Sequence, residues 1–118
     1  MQSIVAIDVE TTGLNKESDV LIEIGAVRFK GHRIEDEWST LINPGRPIPP
    51  EITKLTGITN HMVQNAPPVK AVVQELADFI GDAPLVGHNV GFDLAFLRRQ
   101  DICKFNDAID TYELAAVL

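Results

Sequence analysis

Two acidic residues at the end of a buried strand constrain this chain most. Ser3-Ile4-Val5-Ala6-Ile7-Asp8-Val9-Glu10-Thr11-Thr12-Gly13-Leu14 opens with a β-branched run, Ile4 to Ile7, that reads as a strand. Side chains alternate along a strand, so Asp8 and Glu10 share one face and Val9 takes the other. Two neighbouring carboxylates repel, and burying them is costly without a cation between them. Oxygen ligands suit a hard divalent ion, Mg²⁺ or Mn²⁺. The plainer alternative is an acidic strand end followed by a polar turn.

The remaining pattern gives one α/β domain over residues 1–118. Asn15 to Asp19 is a polar loop. Val20 to Phe29 alternates as a strand, Lys30-Gly31-His32 turns, and Arg33 to Ile42 returns, which makes a three-strand antiparallel meander. Pro50 opens a short helix over Glu51 to Thr56, closed by Gly57, and Thr59 caps a further turn through Gln64. Val69, Val72, Val73, Leu76, Phe79 and Ile80 recur at helical spacing. Leu85 to Gly87 is a brief strand, Phe92 to Gln100 a helix, Ala108 to Asp110 another strand. A last apolar helix starts at Thr111. Right-handed crossovers place the fourth strand beside the first. Asp8, Glu10 and Asp93 then meet at the carboxyl ends of adjacent strands, the usual site in open α/β sheets. Asp93 falls in the first turn of its helix, where the dipole favours an anion.

Composition narrows the function classes. A 45% hydrophobic content suits a folded domain. No apolar run spans a membrane, and the single Cys103 fits a reducing, cytoplasmic setting. A net charge of −7 argues against coating nucleic acid by counterion release, but is compatible with holding one strand end through metal ions.

Asp8-Val9-Glu10-Thr11-Thr12-Gly13-Leu14 resembles the first motif of the DnaQ-type DEDD 3′–5′ exonucleases. His88-Asn89-Val90-Gly91-Phe92-Asp93 resembles their second. Asn43-Pro44, Ile48-Pro49-Pro50 and Leu55-Thr56-Gly57-Ile58-Thr59 are similar to intervening segments of the same family. It includes the proofreading epsilon subunit of DNA polymerase III, the PolC exonuclease domain and N-terminal domains of DinG-type helicases. The resemblance implies an RNase H-like mixed sheet with flanking helices. It also implies two divalent ions roughly 3.5–4 Å apart, held by Asp8, Glu10 and Asp93. The expected reaction releases nucleoside 5′-monophosphates from a single-stranded DNA 3′ end, with RNA as the alternative. Thr11, Thr12, Gly13, Leu14, Leu55, Thr56, Asn89 and Phe92 match substrate-holding positions. A DNA polymerase or helicase, fused or separate, is the expected partner.

One element of the family pattern is missing. The histidine-bearing subclass carries His-x-x-x-x-Asp, supplying a general base and a fourth carboxylate. His32, His61 and His88 do not stand in that spacing. The chain therefore reads as truncated before that motif, weak or inactive alone, with an uncovered sheet face that favours dimers through Leu114, Val117 and Leu118. A non-catalytic nucleic-acid or protein-binding module of the same fold is the competing reading. A haloacid dehalogenase-type phosphatase is a distant third, because Glu10 stands where that class has Asp. Asp110 reads as a helix cap, Glu23 as a structural carboxylate, and Arg98 and Arg99 as a solvated helix face.

Overall fold

A computed structural model describes residues 2–112. Five strands form one sheet in the order β3-β2-β1-β4-β5. β1 (Ile4–Thr11), β2 (Leu21–Lys30) and β3 (Arg33–Leu41) are the antiparallel meander. β4 (Leu85–Gly87) and β5 (Ala108–Asp110) add on in parallel beyond β1. The helices are α1 (Pro50–Thr56), α2 (Asn60–Val63), α3 (Val69–Ile80) and α4 (Val90–Arg99). The RNase H-like α/β arrangement expected from the sequence is the one observed. The expected helix from Thr111 and its dimer contacts fall mostly outside the described residues.

Alternation on β1 decides which face is core. Val5, Ile7 and Val9 are buried, while Ala6 and Asp8 lie on the opposite, more open face. The buried face is covered by the apolar stripes of α3 (Val72, Leu76, Ile80) and α4 (Leu94, Leu97). Arg28 fastens α3 to the sheet by donating to the carbonyls of Phe79 and Ile80. Trp38 Nε1 reaches Glu75 across the same seam at 2.7 Å.

A register shift at Glu10/Thr11 separates two neighbours on β2. Leu21 joins the main core, whereas Ile22 joins a satellite cluster with Ile48, Ile58 and Val63. Through that cluster α1 and α2 are anchored to the site end of the sheet. Gly57, at φ 80°, closes α1 in the left-handed conformation that glycine adopts without strain.

α4 begins at Val90, two residues before the sequence pattern suggests. Asn89 makes this start by adopting φ 56°, ψ 46°, a left-handed conformation open to Asn through its short polar side chain.

Candidate active site

Asp8 and Glu10 project from the carboxyl end of β1, and Asp93 comes from the first turn of α4. The Val9 N–H donates to Asp93 Oδ2 at 3.1 Å, so the helix carboxylate is tied to the strand between the two acidic residues. Asp93 is buried and Asp8 is exposed. Burial, then the nearby Asp8, push the Asp93 carboxyl up to about 7; the Val9 amide opposes that shift. Glu10 is also raised, first by burial, then by Asp8 and Glu23. Glu23 is directly opposite Glu10 in the β1–β2 register, so a fourth carboxylate adds negative charge.

Among the described residues no basic side chain forms an ion pair with these groups; the one ion pair there is Lys104 with Asp101, both exposed. A protein surface that gathers four carboxylates and leaves Asp93 reluctant to ionise suits a bound cation. The all-oxygen donor set fits Mg²⁺ or Mn²⁺. As they stand, however, no three His, Cys, Asp or Glu side chains among the described residues are gathered closely enough to hold one ion.

The β1–β2 loop lies beside this cluster. Thr11 and Thr12 are buried, and their hydroxyls are engaged within the loop. Thr11 Oγ1 donates to the Gly13 carbonyl at 2.6 Å; Thr12 Oγ1 donates to Asp19 Oδ1 at 2.8 Å. The two threonines thus shape the turn, and Leu14 beyond it is 87% exposed. Leu55 at the end of α1 is 81% exposed. Thr56 uses its hydroxyl locally, donating to the Ile52 carbonyl and accepting from the Ile58 N–H. Phe92 is half-buried, its ring 5.0 Å from that of Phe96.

β5 contributes more than a cap. Asp110 Oδ1 accepts from the Tyr112 N–H at 2.9 Å, as a cap does. It also accepts from the Asn89 N–H at 2.9 Å and so fixes the loop that starts α4. His88 lies edge-on to Tyr112, with Nδ1 3.3 Å from Thr111 Oγ1. An open depression of about 560 Å³ runs along this face between Asp8, Val27, Ser39, His88 and Thr111.

The fold is one found in nuclease domains. The chain belongs to the RNase_T exonuclease family, whose profile matches residues 5–118. Among named relatives it is 42% identical to the PolC-type DNA polymerase III of Bacillus subtilis over 99% of this chain but 9% of that protein. It is 43% identical to the DNA polymerase III epsilon subunit of Treponema pallidum, over 93% of this chain and 54% of that one. The chain thus spans less than a tenth of the PolC relative and about half of the epsilon subunit. Among solved structures, exonuclease X in complex with 5′ overhanging duplex DNA superposes with a TM-score of 0.76 at 30% identity, covering 97% of this chain and 63% of that one. The fold is also that of E. coli exonuclease I in complex with a dT13 oligonucleotide, with a TM-score of 0.85 at 17% identity over 99% of this chain and 29% of that one. Among the described residues no helix is long and apolar enough to cross a membrane.

Proposed function

We propose that this domain removes nucleoside 5′-monophosphates from the 3′ end of single-stranded DNA with the help of two Mg²⁺ or Mn²⁺ ions. The observation that carries the reading is the cluster of Asp8, Glu10 and Asp93, held by β1 and α4 with no basic ion-pair partner among the described residues. Those three side chains would hold the ions. When bound, the ions supply charge neutralisation and polarise the scissile phosphodiester.

The protein's own contribution is placement. The Val9 amide holds one oxygen of Asp93 and so keeps the carboxyl within electrostatic reach of Asp8 and Glu10. Phe92, supported by Phe96, offers a ring on which any base can rest. Leu14 and Leu55 present apolar surface to the terminal sugar and base. Thr11, Thr12 and Gly13 set the turn that carries Leu14, and Thr56 does the same at the end of α1. Asn89 is exposed at the start of α4, its backbone fixed by Asp110, so its amide side chain can meet the nucleotide.

The DNA complexes of the two exonuclease structures support a DNA end over an RNA end. Similarity to PolC and epsilon supports proofreading or repair beside a replicative polymerase, fused or separate; a helicase is the alternative neighbour. A cytoplasmic setting is consistent with this role.

Among the described residues no three His, Cys, Asp or Glu side chains already stand as a metal site, which favours a second reading, a module that binds nucleic acid without cutting it. One assay separates the two. A 3′-hydroxyl oligodeoxynucleotide is incubated with the protein and Mn²⁺, and products are resolved by chromatography. Release of nucleoside 5′-monophosphates that Asp8→Ala abolishes supports the nuclease. Retained binding without release selects the module.

A further inference from the structure

Exposed loops outside regular structure are ordinarily mobile. The β1–β2 loop is instead pinned at nearly every residue, and Asp19 is the centre of the network. Asp19 Oδ1 accepts from the Thr12 hydroxyl at 2.8 Å, and Oδ2 accepts from the Asn15 N–H at 2.9 Å. Thr12 Oγ1 in turn accepts from the Val20 N–H at 3.1 Å, which locks the loop's two ends together. Gly13 makes room for this carboxylate: a Cβ there would lie 2.5 Å from Asp19 Oδ2.

The outer side is braced by two arginines. Arg99, at the end of α4, donates to the carbonyls of Lys16 at 2.6 Å and Asp19 at 2.7 Å. Its guanidinium also stands over the Phe96 ring, 5.8 Å from the centroid. Arg46 donates to the Ser18 carbonyl at 2.7 Å. The result is an exposed apolar side chain, Leu14, on a fixed support. With the backbone on both sides of it fixed, Leu14 gives up only side-chain rotamer freedom when it meets a ligand, so more of its contact is retained as affinity.

We propose that Asp19 is a positioning residue that sets Leu14 as one wall of the terminal-nucleotide pocket, with Arg99 as its outer brace. The proposal rests on the nuclease reading above. Asp19 acts through Leu14 and touches neither the reacting atoms nor the acidic cluster. Its hydrogen bonds run to Thr12, Asn15 and Arg99, none of which is an acidic residue of the site. Removing Asp19 should therefore weaken substrate capture while leaving chemistry and metal binding intact.

The test uses the full chain, a single-stranded oligodeoxynucleotide with a 3′-hydroxyl, and Mn²⁺. Asp19→Ala should raise KM about tenfold, the loss of one good apolar contact, with kcat nearly unchanged. Calorimetric Mn²⁺ affinity should equal that of the wild type. Leu14→Ala should produce the same KM increase, and the double variant should be no worse than either single one, because both remove the same contact. Asp19→Asn keeps one of the two acceptor roles and should recover part of the loss.

Multiplying effects in the double variant would overturn the proposal, as would a fall in kcat at constant KM or a loss of Mn²⁺ binding. A wild type that does not cut the oligonucleotide, whether or not it binds it, overturns the nuclease reading itself, and this one with it. A working wild type with an indifferent Asp19→Ala overturns the positioning role alone.

Discussion

Replacing Asp93 by Asn should stabilise the metal-free protein at alkaline pH. The Asn side-chain carbonyl can still accept from the Val9 N–H, so the tie between α4 and β1 survives. What disappears is a carboxylate that burial and Asp8 make hard to ionise. In the unfolded chain Asp93 titrates near its ordinary 3.8; in the folded one it titrates at about 7. Well below pH 3.8 both states hold the proton and the group contributes no penalty. As pH rises from 4 to 7 the unfolded chain releases its proton first, so stability falls, and above 7 the full penalty is present. Each tenfold change in proton affinity is worth about 1.4 kcal/mol, which caps the effect at about 4 kcal/mol. Burial is the first cause, and water relaxes it next to the exposed Asp8 while also screening the repulsion, so the effect should be about 1–2 kcal/mol. Urea unfolding of both metal-free proteins at pH 3 and pH 8 measures the difference. The variant should match the wild type at pH 3 and exceed it at pH 8. Adding Mg²⁺ at about ten times its Kd should return about 1.4 kcal/mol to the wild type, with a smaller gain for the variant. A variant less stable than the wild type at pH 8 without metal would refute the electrostatic account of this site.

Further outcomes test separate parts of the structure. Asp8→Ala should lose Mn²⁺ binding in calorimetric titration, and equal heats from both proteins would exclude Asp8 as a ligand. Phe92→Ala should weaken oligonucleotide binding by about 1–3 kcal/mol if its ring supports a base, measurable by fluorescence anisotropy. Leu76→Ala, at a fully buried position of α3, should cost about 2–5 kcal/mol of folding stability in denaturant titration. Gly13→Ala should destabilise the β1–β2 loop, visible as faster amide exchange at residues 13–19, because its Cβ meets the Asp19 carboxylate.

The strands and α3 were legible because their signals are local. Period-two alternation marks β1, and Val72, Leu76 and Ile80 recur on one side of α3. The convergence of Asp8, Glu10 and Asp93 followed from the same alternation plus crossover handedness. The roles of Asp19, Arg99 and Asp110 were not legible. Asp19 reads as one more polar loop residue, since periodicity registers apolar positions only. Arg99 grips carbonyls 83 and 80 positions away, and such a bond leaves no trace in neighbouring residues. Asp110 reads as a cap because the capping bond is local, whereas its bond to the Asn89 amide crosses between strands. The early start of α4 depends on one left-handed Asn, a conformation that side-chain spacing does not reveal.

The bond between the Val9 amide and Asp93 has a consequence for the newly made chain. It joins positions 84 apart, across a crossover that includes α3 and the β1–β4 parallel pairing. At about 5–20 residues per second, translation reaches Asp93 roughly 4–17 s after Asp8. Until that stretch has emerged and docked, Asp8 and Glu10 stand alone on a strand. The three carboxylates therefore come together only after α4 has docked on β1, and any chemistry that needs all three waits for that step.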